Sequence, residues 1–239
     1  MSKYIICTDT HLDRKNSSPK EMEITKDFFD WVIDTAIEKN IKKFIHLGDW
    51  HNNRRFVSLP AIDASNMIFL KLNKTFDKSY IILGNHDIHF KNLLQPNSLD
   101  WVHMDNIKIL SKPSFIEEDG ILLIPWMVDN YYYDFIKNNP KKAKVLMGHL
   151  SINDIVMNRS NVISKNEMLN ISDLNKYSLV LSGHFHQKGV YQNITYLGAP
   201  YHMNFNDGGE RGVYIYDSET SDIEFIEYEY APKYVIMGS

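Results

Sequence analysis

The chain has 239 residues, with 26 Lys+Arg against 30 Asp+Glu for a formal charge of −4, and 44% apolar and 23% charged residues. This is ordinary globular usage, which excludes disorder, collagen-like repeats or coiled coil as the main state; mild acidity argues against broad coating of nucleic acid but permits a local basic groove. The single cysteine, Cys7, excludes a disulfide framework and any Cys-rich zinc module, no apolar run nears the roughly 20 residues that cross a bilayer, and a cytoplasmic protein free of the membrane is expected.

In chain order, short apolar runs end in polar clusters, as buried strands do when they deliver loops to one edge. Residues 3–8 lead into Asp9-Thr10-His11. Residues 21–39 then place Phe28, Phe29, Val32, Ile33, Ala36 and Ile37 at helical spacing. The run 43–47 precedes Gly48-Asp49, and 61–73 repeats the helical pattern through Ile62, Met67, Ile68, Leu70 and Leu72. Three further runs follow: 80–83 before Gly84-Asn85-His86-Asp87, 144–147 before Gly148-His149, and 179–182 before Gly183-His184-Phe185-His186. Hairpins are expected at 189–192 with 195–197, and at 212–216 with 223–230. No repeat or Pro/Gly-rich linker interrupts the pattern, so one domain over 1–230 and a tail over 231–239 are expected.

Each motif is weak alone, since Asp-x-His, Gly-Asp and Gly-His arise by accident or as ordinary turn chemistry. Their series is the signal. In α/β architecture ligands gather at the carboxyl ends of strands, and here successive strand ends deliver Asp9 and His11, Asp49, Asn85 and His86, His149, and His184 and His186. Three oxygen donors (Asp9, Asp49, Asn85) and four imidazoles (His11, His149, His184, His186) make two mixed N/O sites that suit Mn²⁺, Fe²⁺ or Zn²⁺ better than Ca²⁺. Two such ions would polarise a phosphoryl oxygen and activate a bridging water as hydroxide, and the reaction implied is phosphoester hydrolysis.

The ordered set Asp-x-His, Gly-Asp, Gly-Asn-His-Asp, Gly-His and Gly-His-x-His, spanning Asp9 to His186, resembles the calcineurin-like metallophosphoesterase superfamily. Asp9-Thr10-His11-Leu12, the Gly-Asn-His-Asp ending, Tyr196-Leu197-Gly198-Ala199-Pro200 and Glu210-Arg211-Gly212-Val213 further resemble SbcD-type DNA nucleases, including phage recombination endonuclease subunits. The resemblance implies an α/β fold, a two-sheet β-sandwich flanked by helices in four αββα layers. It implies Asp9, His11, Asp49 and His186 on one metal and Asp49, Asn85, His149 and His184 on the other, with Asp49 bridging. His86 would contact the scissile phosphate and help the leaving oxygen depart. Manganese is the usual nuclease metal of the family, and the donor types alone leave iron and zinc open. DNA single strands or ends would be the substrate, in recombination or repair. A small-molecule nucleotide phosphodiesterase or phosphatase with the same dinuclear site is the alternative. SbcD-type proteins usually continue into a capping domain and a segment that binds an SMC-like ATPase; with the chain ending at Ser239, a truncated catalytic domain and a minimal enzyme both remain open.

One departure from the SbcD pattern lies at Asn52, where Asp or His is usual; its amide would accept a hydrogen bond from His86 without adding negative charge. Arg54 and Arg55, close after Asp49, are expected to reach a phosphate backbone, and His202 to contact substrate. His51 is read as equally ready to face the site or the core, His46 as a packed strand residue, and His89 and His103 as surface residues. Lys39, Lys42, Lys43, Lys137, Lys141, Lys142 and Lys144 are read as solvated helix ends, and at least one of Tyr131, Tyr132 and Tyr133 as core. Met67, Phe69 and Leu70 lie on the helix that, in SbcD-type proteins, joins a symmetry mate in a homodimer.

Overall fold

A computed structural model describes residues 2–139, 142–157 and 160–234; Lys141 and residues 235–239 of the expected tail lie outside the described residues. The first sheet begins with β1 (Lys3–Cys7). After a left-handed turn α1 (Arg14–Ser17) and helix α2 (Pro19–Glu38), the chain forms β2 (Lys43–His46), helix α3 (Leu59–Thr75) and β3 (Lys78–Ile82). A small hairpin, β4 (Ile88–Phe90) with β5 (Leu93–Asn97), follows, and then β6 (Ile107–Leu110). The second sheet is built from β7 (Ser114–Ile116), β8 (Ile121–Ile124), β9 (Val145–His149), β10 (Leu179–Gly183), β11 (Gly189–Tyr191) and β12 (Ile194–Tyr196), with α4 (Asn130–Asn138) between β8 and β9. The chain then returns to the first sheet with β13 (Gly212–Asp217) and β14 (Ile223–Glu227).

The sheets have the orders β14-β13-β1-β2-β3-β6 and β11-β12-β10-β9-β8-β7, with β1-β2-β3 and β8-β9-β10 parallel. Strand alternation divides the apolar residues between two faces. From β1, Tyr4 and Ile6 point inward and meet Leu123, Met147 and Leu181 of the second sheet, while Ile5 and Cys7 point outward against Phe28, Phe29, Ile68 and Phe69 of α2 and α3. On the far face Leu122, Leu146 and Val180 pack beneath Tyr132 and Ile136 of α4. Three apolar cores between four layers give the αββα sandwich. Among the described residues no helix is long and apolar enough to cross a membrane.

The α3 helix is started by Ser58, whose hydroxyl accepts from the Ala61 N–H at 3.3 Å. It anchors the loop after β2: Trp50 stacks on Phe69 with ring centroids 4.2 Å apart and donates to the Ser65 hydroxyl at 3.1 Å. Residues 231–234, expected as a tail, dock on the domain instead. Ala231 is buried, the Pro232 carbonyl accepts from the His202 N–H, and the Tyr234 N–H donates to His202 Nδ1 at 3.2 Å. Tyr132 is the core member of its aromatic run, whereas Tyr131 is exposed.

His46 is fully buried, with one ring nitrogen on the Thr10 hydroxyl at 3.1 Å. Burial, aided by His149, pushes its imidazole down to about 3. A depressed folded pKa means the unfolded chain binds the proton first, so this contribution to stability is full above pH 6.5 and is lost as pH falls towards 3. In His46→Phe, the fall in denaturation free energy from pH 6 to 4 should be shallower by about 1.4 kcal/mol per pH unit. Urea titrations of both proteins across that range measure it.

Candidate metal centre

The parallel strands of both sheets end on the same side, and their carboxyl-end loops close over one another through backbone bonds that extend the ladder. Asp9 N donates to Gly48 O at 3.0 Å, His11 N to Asp49 O at 3.1 Å and Leu12 N to Trp50 O at 2.9 Å. Across the sandwich, Trp126 N donates to Leu83 O at 2.7 Å and His184 N to Asp9 Oδ2 at 3.0 Å. Asp9, His11, Asp49 and His184 all have positive φ, the left-handed conformation that non-glycine residues adopt at a cost of about 1 kcal/mol or more each. Gly84 leaves room where a Cβ would stand 2.2 Å from both the N and Oδ1 of Asp49, and Gly183 where one would stand 2.0 Å from the Thr8 hydroxyl.

The loops bring together every donor singled out above. Ligand atoms of Asp9, His11 and His186 lie within 4.8 Å of one another, as do those of Asp9, Asp49 and His149. His11 Nε2 faces His186 Nε2 at 3.2 Å, and Asp49 Oδ2 lies 3.6 Å from His11 Nε2 and 3.5 Å from His149 Nε2. The Asn85 amide oxygen is 3.1 Å from His149 Nε2 and 2.9 Å from His184 Nδ1. His149 donates its Nδ1 proton to the Leu47 carbonyl at 2.7 Å, which turns Nε2 towards these oxygens.

Burial sets the charges. It drives the His11 ring well below its ordinary range and, with His149 beside it, His184 down to about 3, so both are neutral donors. Burial opposes charge on His149 too, but the Asp49 and Asp9 carboxylates outweigh it and hold the ring up at about 9. Asp49, although buried, is kept well below the usual carboxylate range by His149 and His11. Asp9 Oδ1 and His11 Nδ1 are buried without a hydrogen-bond partner among the described residues. Carboxylate oxygens, amide oxygens and imidazole lone pairs that face each other repel unless a cation lies among them, so the donor set fits divalent metal.

His86 stands beside this cluster, its ring edge-on to His11 at 4.9 Å, and its N–H donates to Asp49 Oδ1 at 2.7 Å. Its Nδ1 donates to Asn52 at 2.6 Å, but to the main-chain carbonyl. The amide side chain is therefore not the acceptor that the sequence suggested. Any residue at 52 supplies that carbonyl, which sequence reading cannot weigh; Asp13 holds the loop by accepting from the Asn52 N–H. His51 faces the core, its two ring nitrogens on the Ser98 and Ser65 hydroxyls at 2.8 and 2.9 Å. His202 is 7% exposed, with Nε2 on the Gly209 carbonyl and Nδ1 accepting from Tyr234, so neither nitrogen is left for substrate. Arg54 and Arg55 line a small cavity of about 180 Å³ with Phe56 and His89, and neither guanidinium has an ion pair among the described residues. Lys39 and Lys43 lie at the opposite end of the sandwich, paired with Glu224 and Asp119.

Three supporting residues escaped the sequence reading. Asp87 accepts from the N–H groups of Gly84, His51 and Trp50 at 2.9, 3.0 and 3.3 Å, clamping two loops together. Arg211, buried, donates to the carbonyls of His186, Ala199 and Gly208. Trp126 sits against His184 and His149. The first two belong to quoted motifs, where only ligands had been sought; Trp126, after an unrecognised strand, lay in no motif.

Residues 2–188 match the calcineurin-like phosphoesterase family, and the chain belongs to it. It is a metal-dependent phosphoesterase by family. It is similar to exonuclease subunit 1 of Enterobacteria phage T4, with 28% identity over 230 residues, covering 94% of this chain and 67% of that protein. It is also similar to the DNA double-strand break repair protein Mre11 of Methanocaldococcus jannaschii, with 26% identity over 256 residues, covering 95% of this chain and 66% of that one. The chain thus spans about two-thirds of the length of both relatives. Among solved structures, the nuclease MPE of Pseudomonas putida aligns with a TM-score of 0.44 and 14% identity, over 91% of this chain and 85% of that one.

The closeness of Gly84 to Asp49 makes a direct prediction. Gly84→Ala should destabilise the fold by about 1–3 kcal/mol through overpacking and lower the metal content together with it. Urea denaturation and elemental analysis of the variant check both.

Proposed function

We propose that the chain is an SbcD-type DNA phosphodiesterase whose catalytic domain covers residues 1–230 and the docked segment to 234, and that it acts on single strands or ends. The observation that carries this reading is the convergence of Asp9, His11, Asn85, His149, His184 and His186 around Asp49, with His86 at its edge. The names of the T4 and archaeal relatives support DNA as the polymer.

Asp9, His11, Asp49 and His186 would hold one divalent ion, and Asp49, Asn85, His149 and His184 the other, with manganese the first choice over iron and zinc. Bound there, the ions supply charge neutralisation at the phosphoryl oxygens and an acidified water. The chain does the rest. His184 and His11 arrive neutral and need shed no proton to bind, whereas His149 must release one. The Asn52 carbonyl would hold the Nδ1 proton of His86 and so direct Nε2 at the phosphate; from the doubly protonated ring, Nε2–H would pass its proton to the oxygen that leaves as its P–O bond breaks and the water's oxygen bonds to phosphorus, the ring keeping its Nδ1 proton. Arg54 and Arg55 extend the site on the His86 side for the strand backbone. By resemblance, a homodimer would form through α3, whose Met67 and Leu70 are exposed while Phe69 is core, and any longer form would meet an SMC-like ATPase.

Asp49→Ala should lose both ions, whereas His86→Ala should keep them and lose about 10²–10⁴ in rate. Elemental analysis alongside Mn²⁺-dependent hydrolysis of bis-p-nitrophenyl phosphate checks the pair; two metals per chain in Asp49→Ala would remove the bridge. The same assay with single-stranded DNA, duplex ends and a cyclic nucleotide tests the substrate. A cyclic nucleotide hydrolysed far faster than any DNA would establish the small-nucleotide reading instead.

Arg54→Ala/Arg55→Ala should bind single-stranded DNA more weakly. The slope of log K against log salt should also be less steep, by roughly 0.7 for each phosphate that the variant no longer neutralises. Fluorescence anisotropy from low to moderate salt measures it, and an unchanged slope would return both arginines to the solvated surface.

A further inference from the structure

One more strand of the second sheet delivers a side chain to the centre. β8 ends at Ile124, and Pro125 leads directly into Trp126, whose N–H bond to Leu83 O fixes it to the end of β3 in the other sheet. Its indole lies 4.9 Å from the His184 ring at 46° and 6.0 Å from the His149 ring at 71°. One flank packs on the core beneath α2 and α3, yet the residue stays partly exposed. No partner for its Nε1 is found among the described residues. A large, rigidly held and partly exposed aromatic ring therefore stands at the His149/His184 edge of the centre.

Resting on the nuclease reading, we propose that Trp126 is the platform on which a base of the DNA strand stacks beside the scissile phosphate. Three features favour this over a purely packing role. A mere wall for His184 would have no need of the exposure that Trp126 keeps. His184 is already oriented by its own N–H to Asp9 and by Nδ1 against Asn85. Stacking is also tolerant of sequence, because every base has a π-face. The strand would then cross the site with its backbone on the arginine side and a base on the indole side.

The test walks a single abasic site through an oligothymidylate substrate with Mn²⁺ present. In the wild-type protein, KM should rise roughly 5- to 100-fold at one position next to the cleaved bond, the range for loss of one stacked base. In Trp126→Leu that position-specific penalty should vanish while metal content is retained, and Trp126→Phe should leave an intermediate penalty. A phosphorothioate oligothymidylate should quench the wild-type tryptophan fluorescence, and Trp126→Phe should abolish that quench, a readout that stands even if the leucine variant fails to fold. An undiminished abasic penalty in the variants, or loss of metal from both, would overturn stacking while leaving the nuclease reading intact. Hydrolysis of bis-p-nitrophenyl phosphate without cleavage of any strand would instead remove the DNA reading, and this inference with it.

Discussion

Asp49 sits where the rest of the molecule has to agree. Its Oδ1 accepts from the His86 N–H, its Oδ2 faces His11 and His149, and its own carbonyl continues the β1–β2 ladder by accepting from His11 N. Its backbone is left-handed and Gly84 touches it closely enough to admit no side chain. A carboxylate so enclosed is costly to bury alone. Imidazoles approach it from both sheets, so the sandwich must close for the site to form, and the site must take up positive charge for the closed loops to be comfortable. Fold and metal affinity are therefore coupled through one side chain.

That coupling explains where the structure stores strain. The left-handed residues Asp9, His11, Asp49 and His184 are all donors, while the glycines at 84 and 183 stand opposite them. Strained donors persist only where surrounding bonds over-determine them. Here those bonds are the extended ladder between the β1 and β2 loops, the Asp87 clamp and the Arg211 fork on the carbonyl of His186. Replacing a donor changes the charge balance, and replacing a clamp changes the geometry; both end at the same centre by different routes.

Much of this was legible from the sequence because strands that end in a ligand leave two signals at once, an apolar run and a polar stop. Five of the six parallel strands β1-β2-β3 and β8-β9-β10, and all the clustered donors, lay in such pairs. The runs of β1, β2, β3, β9 and β10 fall within about two residues of their observed positions. β8 escaped, although Ile121–Ile124 is fully buried, because it stops at Pro125-Trp126 rather than at a metal donor. The β4–β5 hairpin escaped because its residues are largely exposed and do not alternate cleanly. Roles carried by main-chain atoms were out of reach in principle: the carbonyl that fixes the His86 tautomer belongs to Asn52, yet nothing about an asparagine announces it. Histidines were ambiguous for a related reason, since His51, two residues from Asp49, is satisfied by two serines distant in sequence.

The position of His86 shows why the neighbouring polar groups differ in kind. It is attached to Asp49 through its backbone and to Asn52 through its ring, so its placement depends on main-chain geometry at both ends. The histidines clustered around Asp49 instead meet its charge through their rings. A main-chain acceptor cannot be titrated away and brings no formal charge, so its contribution to His86 is orientation. Every residue supplies such a carbonyl, so the hydrogen bond that orients His86 does not depend on the side chain at position 52.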